Sequence, residues 1–550
     1  MVPLGITHFA PLACQPLHCF VRRGPQTRFA SRRRRLRRPF PSERPWSPRG
    51  KPSDATQVAA VDSPAMAMED EMQGLNVETS LLSLPDDDLL SVLEYLSTPD
   101  LLSCRAVCHR LRDVALRPEL WRRRSFNVGR WRPCFVFGLR DLPTRSLEAA
   151  VLRVAPCASS LSMWFTGNSH ALGPLAATTR CAAAELILEV DDDPARLAAA
   201  KLAIRNQAAL GMLKSLEVRF KGNDGFDDGL ALADLLAESF STQGLARLFV
   251  KVDWEVMWPV GAEPAPLIPA SIKEVTLEDV DPRFVHCVLR SHAASLQAVT
   301  LWVDCRGVAP LLAAIPGLRH LVCPVMEDLH LVAKCASLRS LQLSVTHCPD
   351  EATFQATAAF LRAATQLEEL ELDLVWHHYS LPSEQGLLTA LASSGRAALR
   401  KLGLANFIEV NVRLETELAS ALPGLPALEW LVLPRPVSRR VLAAINPGSL
   451  PRLRGLCIPD WRSEVGCAHA VMHEPDVSRV LASYSRFFLV VNAHLCWEER
   501  QCEYCAKGCH GVPWPSGELE VGFYTHEAPG KEAVDGLRWG GTSCKLWIKA

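Results

Sequence analysis

The chain has 550 residues, of which 48% are apolar and 22% are charged, so it is not disordered throughout. Its 59 basic and 60 acidic side chains give a net charge of −1, which disfavours a surface that coats nucleic acid. The sequence lacks a run of about 18 apolar residues, so it predicts no membrane-spanning helix and no membrane partner.

Residues 1–75 are rich in Pro, Arg and Ser and show no sustained apolar period. Residues 1–52 hold 12 basic residues and one acidic residue, whereas residues 53–550 hold 47 basic and 59 acidic residues. Like charges and prolines oppose burial, so we interpret residues 1–75 as a disordered basic tail. Its role stays open between a nuclear address, an organelle transit peptide and a solvated extension, and Met66 or Met68 is an alternative start.

Residues 80–126 carry the start signals of three helices. Pro85 stands at a first helical position and precedes three aspartates, which favour the positive end of a helix. Leu89, Leu93 and Leu96 then recur at i, i+4 and i+7 and form one apolar face. The segment therefore opens with an amphipathic helix.

A second helix is predicted from Thr98, as N-cap ahead of Pro99, to Arg117, and a short third helix from Pro118. A unit of about 45 residues buries too little surface to be stable alone. We therefore expect a helical partner to cover the apolar residues that the unit leaves exposed.

The order and spacing of these residues closely resemble an F-box motif, through the Leu84-Pro85 start, the leucine spacing and Leu120-Trp121. Two departures are the three aspartates, where the family usually has one Glu, and Leu111, where an aromatic residue often stands. The resemblance covers residues 80–126 and implies docking onto the Skp1 adaptor of a cullin-RING ubiquitin ligase. The residues implied to bind Skp1 are Leu84, Pro85, Leu89, Leu93, Leu96, Leu101, Val107, Cys108 and Trp121.

From about residue 150 to 460 the pattern apolar-x-x-apolar-x-apolar recurs, with ten matches between Leu213 and Ile458. The mean period is about 27 residues, which is typical of leucine-rich repeats. Each repeat supplies one strand and one helix, and neighbouring repeats stack to bury their apolar faces. The pattern resembles the irregular leucine-rich repeats of F-box proteins, although the asparagine ladder of stricter repeats is mostly missing. The alternative is a generic α/β domain.

The predicted fold class is therefore α/β, a leucine-rich-repeat solenoid at 150–460 preceded by a small three-helix F-box unit at 80–126 and the disordered tail. Strand side chains that alternate with the buried leucines face the concave surface, where a target protein would bind. The candidate anchors on or beside these strands are Trp302, Asp304, Glu371, Asp373, Trp376 and His377.

Residues 461–550 lose the repeat period and are predicted to form a cap with a cysteine cluster and short strands. One Cys-x2-Cys without a clean second pair is weak evidence for zinc, so we predict no metal and no cofactor. The weak zinc candidates are Cys502, Cys505, Cys509 and His510. The 19 cysteines are scattered singly and odd in number, which favours free thiols in the cytoplasm and/or nucleus.

The sequence lacks the glycine-rich phosphate loop, the nucleophile elbow and the zinc-helix motif, which favours a non-catalytic protein. We predict a substrate-recognition adaptor that binds a Skp1-type adaptor, through it cullin, and an unidentified target protein. The alternatives are a leucine-rich-repeat interaction scaffold outside ubiquitin ligation, and an enzyme or metal protein centred on the C-terminal cysteines.

Overall fold

The fold is described from a computed structural model of the chain. The described residues are 81–128, 144–167, 172–222, 229–253, 271–303, 306–345, 350–373, 386–393, 395, 398–405, 412–433, 437–458, 472–494, 518–525 and 546–549. The basic tail and the cysteine cluster lie outside these residues.

The helical unit contains three α-helices, α1 (Asp86–Glu94), α2 (Thr98–Val107) and α3 (His109–Ala115). Single 3-10 turns at Leu81–Ser83 and Pro118–Leu120 flank them. The expectation of one continuous helix from Thr98 to Arg117 is wrong, because the chain breaks at Cys108. That residue is extended, with φ −157° and ψ 167°, and its Sγ accepts a hydrogen bond from the Leu111 N–H at 3.5 Å. Cys108 therefore ends α2 and caps α3.

The predicted helix starts are correct to within one residue. Pro85 is the N-cap of α1 rather than its first helical residue. Ser97, not Thr98, caps α2: its Oγ accepts a hydrogen bond from the Asp100 N–H at 3.4 Å and donates to Asp100 Oδ2 at 2.5 Å. Ser and Thr are both favoured at this position, so the sequence alone does not separate the two neighbours.

Sixteen strands form one sheet in which each strand pairs with its neighbours in sequence order, and β1 to β14 are parallel. The strands are β1 (Ser125–Val128), β2 (Cys157–Phe165), β3 (Ala182–Asp191), β4 (Ser215–Lys221), β5 (Arg247–Val252), β6 (Glu274–Glu278), β7 (Ala298–Trp302), β8 (His320–Pro324), β9 (Ser340–Ser344), β10 (Glu369–Asp373), β11 (Lys401–Ala405), β12 (Trp430–Val432), β13 (Gly455–Ile458), β14 (Phe488–His494), β15 (Glu518–Tyr524) and β16 (Leu546–Lys549). The order is that of a parallel sheet built by successive crossovers.

Helices connect most of the parallel strands. They are α4 (Thr144–Val154), α5 (Leu172–Thr178), α6 (Pro194–Ala209), α7 (Gly229–Ser241), α8 (Pro282–His292), α9 (Ala309–Ala313), α10 (Glu351–Ala363), α11 (Leu387–Ser393), α12 (Val412–Ala421), α13 (Arg439–Ala444) and α14 (Pro475–Ser483). Further 3-10 turns lie at Leu329–Lys334 and Leu422–Gly424. Among the described residues, no helix combines the length and apolar character needed to cross a bilayer.

The leucine spacing explains the strands, because all ten segments that match the pattern coincide with β4 to β13. In β10, Leu370 and Leu372 are buried in the core shared with the helices, while Glu371 between them faces the opposite side of the sheet. The core runs continuously from β1 to β14. Each strand from β4 to β10 therefore buries one row of side chains and presents most of the other row on a face that we call the open face, whereas Val432, Cys457, Phe488 and Val490 of β12 to β14 are buried on that side.

Polar side chains in the connections between strands also bond to the backbone of earlier segments. The buried amide of Gln207 accepts a hydrogen bond from Ala183 N–H and donates to the carbonyl of Cys181, both at 2.9 Å. Gln366 donates to the carbonyl of Cys335 at 2.9 Å. Both glutamines therefore tie their own segment to backbone groups 24 to 31 residues earlier in the chain.

The predicted strand at Phe487–Val491 is confirmed as β14, which extends the parallel sheet. β15 then pairs with β14 in the antiparallel direction, and β16 pairs with β15 in the parallel direction. The chain therefore changes its strand direction after β14.

Candidate functional site

The helical unit shares its apolar core with the start of the sheet. Leu89, Leu93, Leu101 and Trp121 are buried, and the Trp121 indole N–H donates to the carbonyl of Ala115 at 2.7 Å. The same core contains residues of α4, β2 and their surroundings, namely Val151, Ala155, Cys157, Ala158 and Cys181. Part of the apolar surface that the sequence assigned to a partner is therefore covered by the chain itself.

The nine residues implied to bind an adaptor separate into two groups. The four core residues hold the unit together and have almost no side-chain surface left for a partner. The other five keep accessible surface: Leu84, Leu96 and Cys108 are partly exposed, and Pro85 and Val107 are exposed. The sequence recognised the apolar residues but did not separate those that face the core from those that face solvent.

Two exposed apolar residues, one on α1 and one just after it, were not among the predicted site residues. The side chain of Val92 is 42% exposed, and Tyr95, which follows the helix, is 92% exposed. Val107 at the end of α2 is 69% exposed. The sequence does contain a sign of them, since Val92 and Tyr95 lie off the apolar face formed by Leu89, Leu93 and Leu96. An apolar residue outside the buried face must meet solvent or a partner.

Arg110 on α3 holds the segment that leads into α1. Its guanidinium donates to the carbonyl of Leu84 at 2.6 Å, to the carbonyl of Leu82, and to Asp86 Oδ1 at 2.8 Å. The hydrogen bond from Arg110 lowers the pKa of the Asp86 carboxyl below its usual value. This cation therefore orders residues 82–86, on which the partly exposed Leu84 and the exposed Pro85 lie.

Arg124 holds the connection between α1 and α2. Its guanidinium donates to the carbonyl of Leu96 and to the carbonyl of Leu120, both at 2.7 Å, and to the carbonyl of Glu94 at 3.4 Å. Burial lowers the pKa of this guanidinium. The positions of Tyr95 and Leu96 thus depend on a side chain that is about 30 residues away in the chain.

On the open face, Glu371 and Asp373 lie on β10 and Lys401 lies on β11. Burial raises the pKa of the Glu371 carboxyl to about 7, with a further rise from Asp373 and an opposing effect of Lys401. Burial also lowers the pKa of the Lys401 ammonium. The structure thus brings the two predicted acidic residues together with one cation, in a group where Asp373 and Lys401 are buried and Glu371 is partly exposed.

Trp302 is partly exposed at the end of β7, in register with Glu278, whose carboxylate pairs with Lys251 at 3.1 Å. It lies three strands from β10, on which Glu371 lies. The other predicted residues of this surface, Asp304, Trp376 and His377, lie outside the described residues.

The zinc candidates Cys502, Cys505, Cys509 and His510 also lie outside the described residues. Within the described part of the chain, no group of three or more His, Cys, Asp or Glu side chains could hold a metal ion. The helical unit therefore offers a partner apolar side chains on a backbone that Arg110 and Arg124 hold in place.

In a comparison with protein families, residues 81–127 match the family described as F-box-like. The matched range coincides with the helical unit and ends in β1. The chain therefore carries an F-box-like domain at these residues. Comparison with curated proteins gives no match.

Proposed function

We propose that this protein is the substrate-recognition subunit of an SCF-type cullin-RING ubiquitin ligase. Its F-box-like domain binds a Skp1-type adaptor and, through it, cullin, while the sheet region holds a target protein. The observation that carries the proposal is the F-box-like match at residues 81–127, where Val92, Tyr95 and Val107 are exposed. The chain itself performs no bond chemistry in this role.

The exposed apolar side chains support an interface with another polypeptide. Complete burial of a Val or aromatic side chain stabilises an association by about 1.5–3 kcal/mol before the costs of ordering and desolvation. Val92, Tyr95 and Val107 offer this contribution, and the Arg124 guanidinium fixes the backbone on either side of Tyr95. A preordered surface loses less conformational entropy on binding.

For the sheet region we propose a leucine-rich-repeat solenoid. Its support is the coincidence of the leucine pattern with successive parallel strands and their connecting helices. The open face then receives the target, and Trp302, Glu371 and Asp373 stay candidates for contact, as do Asp304, Trp376 and His377. We place the protein in the cytoplasm and/or nucleus, where its free thiols stay reduced.

The mechanism in this proposal is proximity. A receptor that binds the adaptor and the target together raises the effective concentration of target lysines near the charged ubiquitin-conjugating enzyme. Side-chain positions on the receptor then determine which target is held, and no catalytic residue is required.

The experiment is co-purification of a Skp1-type adaptor with the full chain and two matched variants. Val92→Asp/Val107→Asp places carboxylates on the exposed face of the F-box-like domain. Leu202→Asp/Leu230→Asp makes the same change at two leucines of α6 and α7 that are 48% and 65% exposed. Aspartate at Leu93 is unsuitable, since it would bury a charge in the core of the domain.

We expect the first variant to lose the adaptor and the second variant to retain it, with both melting like the wild type. Equal recovery with both variants, or none with the wild type, would contradict the proposal. Recovery of the adaptor without cullin would instead support the scaffold that acts outside ubiquitin ligation.

A further inference from the structure

The cations of the open face are neutralised by carboxylates of the same face. Three ion pairs there include every basic side chain on the open-face rows of β4 to β6 except Arg247, the first residue of β5. The pairs are Lys221 with Glu189, Arg219 with Glu217, and Lys251 with Glu278. This part of the open face therefore attracts acidic partners weakly.

The edge at which the chain enters these strands carries cations without such partners. Four basic residues lie where the chain enters successive strands: Lys214 before β4, Arg247 at the start of β5, Lys273 before β6 and Arg319 before β8. All four are exposed, and among the described residues none of them forms an ion pair. We call these four residues the basic edge.

Backbone hydrogen bonds align Lys214, Lys273 and Arg319 in one row, and Arg247 lies one residue further along its strand. The N–H groups of Ala246 and Arg247 donate to the carbonyl of Lys214, at 2.9 and 3.0 Å, and the N–H of Lys273 donates to the carbonyl of Ala246 at 2.8 Å. The same ladder continues through Gln297 to Arg319. The cations thus occupy one end of neighbouring strands rather than scattered points of the surface.

Few carboxylates lie beside this row. The residues that lead into β4 to β8 contain a single acidic side chain, Glu274, in the segments 210–215, 242–247, 271–274, 293–298 and 315–320. Beyond β8 the row becomes mixed and paired, since Arg339 contacts Glu368 at 3.4 Å and Arg454 contacts Glu429 at 3.6 Å. Beyond β8 the row thus alternates cations with carboxylates, as where Arg400 lies between Glu368 and Glu429, whereas between β4 and β8 it does not.

We propose that the basic edge binds an extended acidic segment of a protein partner. Four steps between strands, each of about 4.8 Å, give the row a length of about 19 Å, which an extended peptide of about six residues spans. The same five segments contain no Phe, Tyr or Trp on which a nucleic-acid base could stack, which favours a peptide over RNA. That the partner is a ubiquitination target rests on the proposed function, whereas the binding itself does not.

The test measures the binding of fluorescein-labelled hexaglutamate to the full chain by fluorescence anisotropy at low salt. The test variant is Lys214→Glu/Lys273→Glu/Arg319→Glu. The control variant, Arg290→Glu/Lys334→Glu/Arg362→Glu, reverses three exposed cations on the helical connections, so its change in net charge is the same. Single-stranded hexauridylate is the comparison probe.

We expect the test variant to bind hexaglutamate at least about tenfold more weakly than the wild type, and the control variant to match the wild type within about twofold. Added salt should weaken the wild-type complex, because the edge is exposed. Equal loss in both variants, no binding by the wild type, or tighter binding of hexauridylate would overturn the inference.

Adaptor recovery is measured on the same three proteins and is expected to be equal. If no adaptor is recovered but hexaglutamate still binds, the proposed function is wrong and the site for an acidic segment is still supported. If the adaptor is recovered but hexaglutamate does not bind, only the proposed site is wrong, so the two failures are distinguishable.

Discussion

Two neighbouring arginines at the end of the F-box-like domain differ in what they hold. Arg124 donates to three backbone carbonyls around the α1–α2 connection, at 2.7 to 3.4 Å. The side chain of Arg123 is 86% exposed and makes one ion pair, with Glu94 at 3.0 Å. The two residues therefore provide a matched pair for testing whether the hydrogen bonds of Arg124 hold the α1–α2 connection in place.

We expect Arg124→Ala to lower the free energy of local opening of α1 and α2 by about 2 kcal/mol, because partly buried carbonyls lose a charged donor. Arg123→Ala should lower it by less than about 1 kcal/mol, since exposed ion pairs contribute little. Hydrogen exchange of the α1 and α2 amides measures both values. Similar losses in the two variants would show that Arg124 is not a clamp.

Glu371 gives the open face a dependence on pH. Its pKa is raised to about 7 from an ordinary value of 4.5, first by burial and then by Asp373, while Lys401 opposes the rise. A raised carboxyl pKa means that the folded state binds the proton more tightly, so this stabilisation is complete below about pH 4.5 and is lost as the pH rises through about 7.

The Glu371→Gln variant should therefore gain melting temperature relative to the wild type as the pH is raised from about 5.5 to 8, because the amide mimics the protonated acid at every pH. Thermal melting of both proteins at the two pH values measures this. A constant difference between wild type and variant would mean that Glu371 does not titrate in this window.

At the scale of elements, β12 and β13 fit together only because Gly455 has no side chain. A Cβ at Gly455 would lie 2.0 Å from the Trp430 ring, which stacks on Phe488 with ring centroids 6.2 Å apart. We expect Gly455→Ala to destabilise the protein by about 2 kcal/mol, as overpacking does. In a Trp430→Leu background the same change should cost much less, and urea unfolding of the four proteins tests this coupling. Additive losses would contradict the contact.

Local patterns predicted the elements well where apolar spacing decides the structure. The leucine rows located β4 to β13. The break at Cys108 was missed, because it is neither Pro nor Gly and its thiol serves as the cap. The roles of Arg110 and Arg124 were missed because there are seven arginines in residues 105–124. Only the contacts in the folded chain distinguish these two from the others.

At the scale of the whole molecule, the F-box-like domain and the sheet region are joined by one core and one strand. β1 leaves the domain and pairs with β2, and the core around Trp121 includes Cys157 and Cys181. The sequence treated the two as separate domains, because contacts between distant segments leave no local pattern. The same limit hid the basic edge, whose members are 26 to 46 residues apart in the chain and come together only through the strand ladder.

The shared core predicts the behaviour of fragments. A fragment of residues 79–127 exposes the apolar side chains that contact Val151, Cys157 and Cys181, so it should unfold without cooperativity. A fragment of residues 79–210 keeps these contacts and should melt cooperatively. Thermal melting followed by circular dichroism compares them, and a cooperative transition in the shorter fragment would show that the F-box-like domain is independent of the sheet.

The central claim is that the F-box-like domain covers most of its core with its own chain and offers the remaining apolar side chains to a Skp1-type adaptor. Hydrogen exchange of the full chain, with and without the purified adaptor, tests this most directly. The account predicts slower exchange in α1 and α2, around Val92, Tyr95 and Val107, and unchanged exchange in β4 to β13. Unchanged exchange in α1 and α2, or slowing confined to the strands, would contradict it.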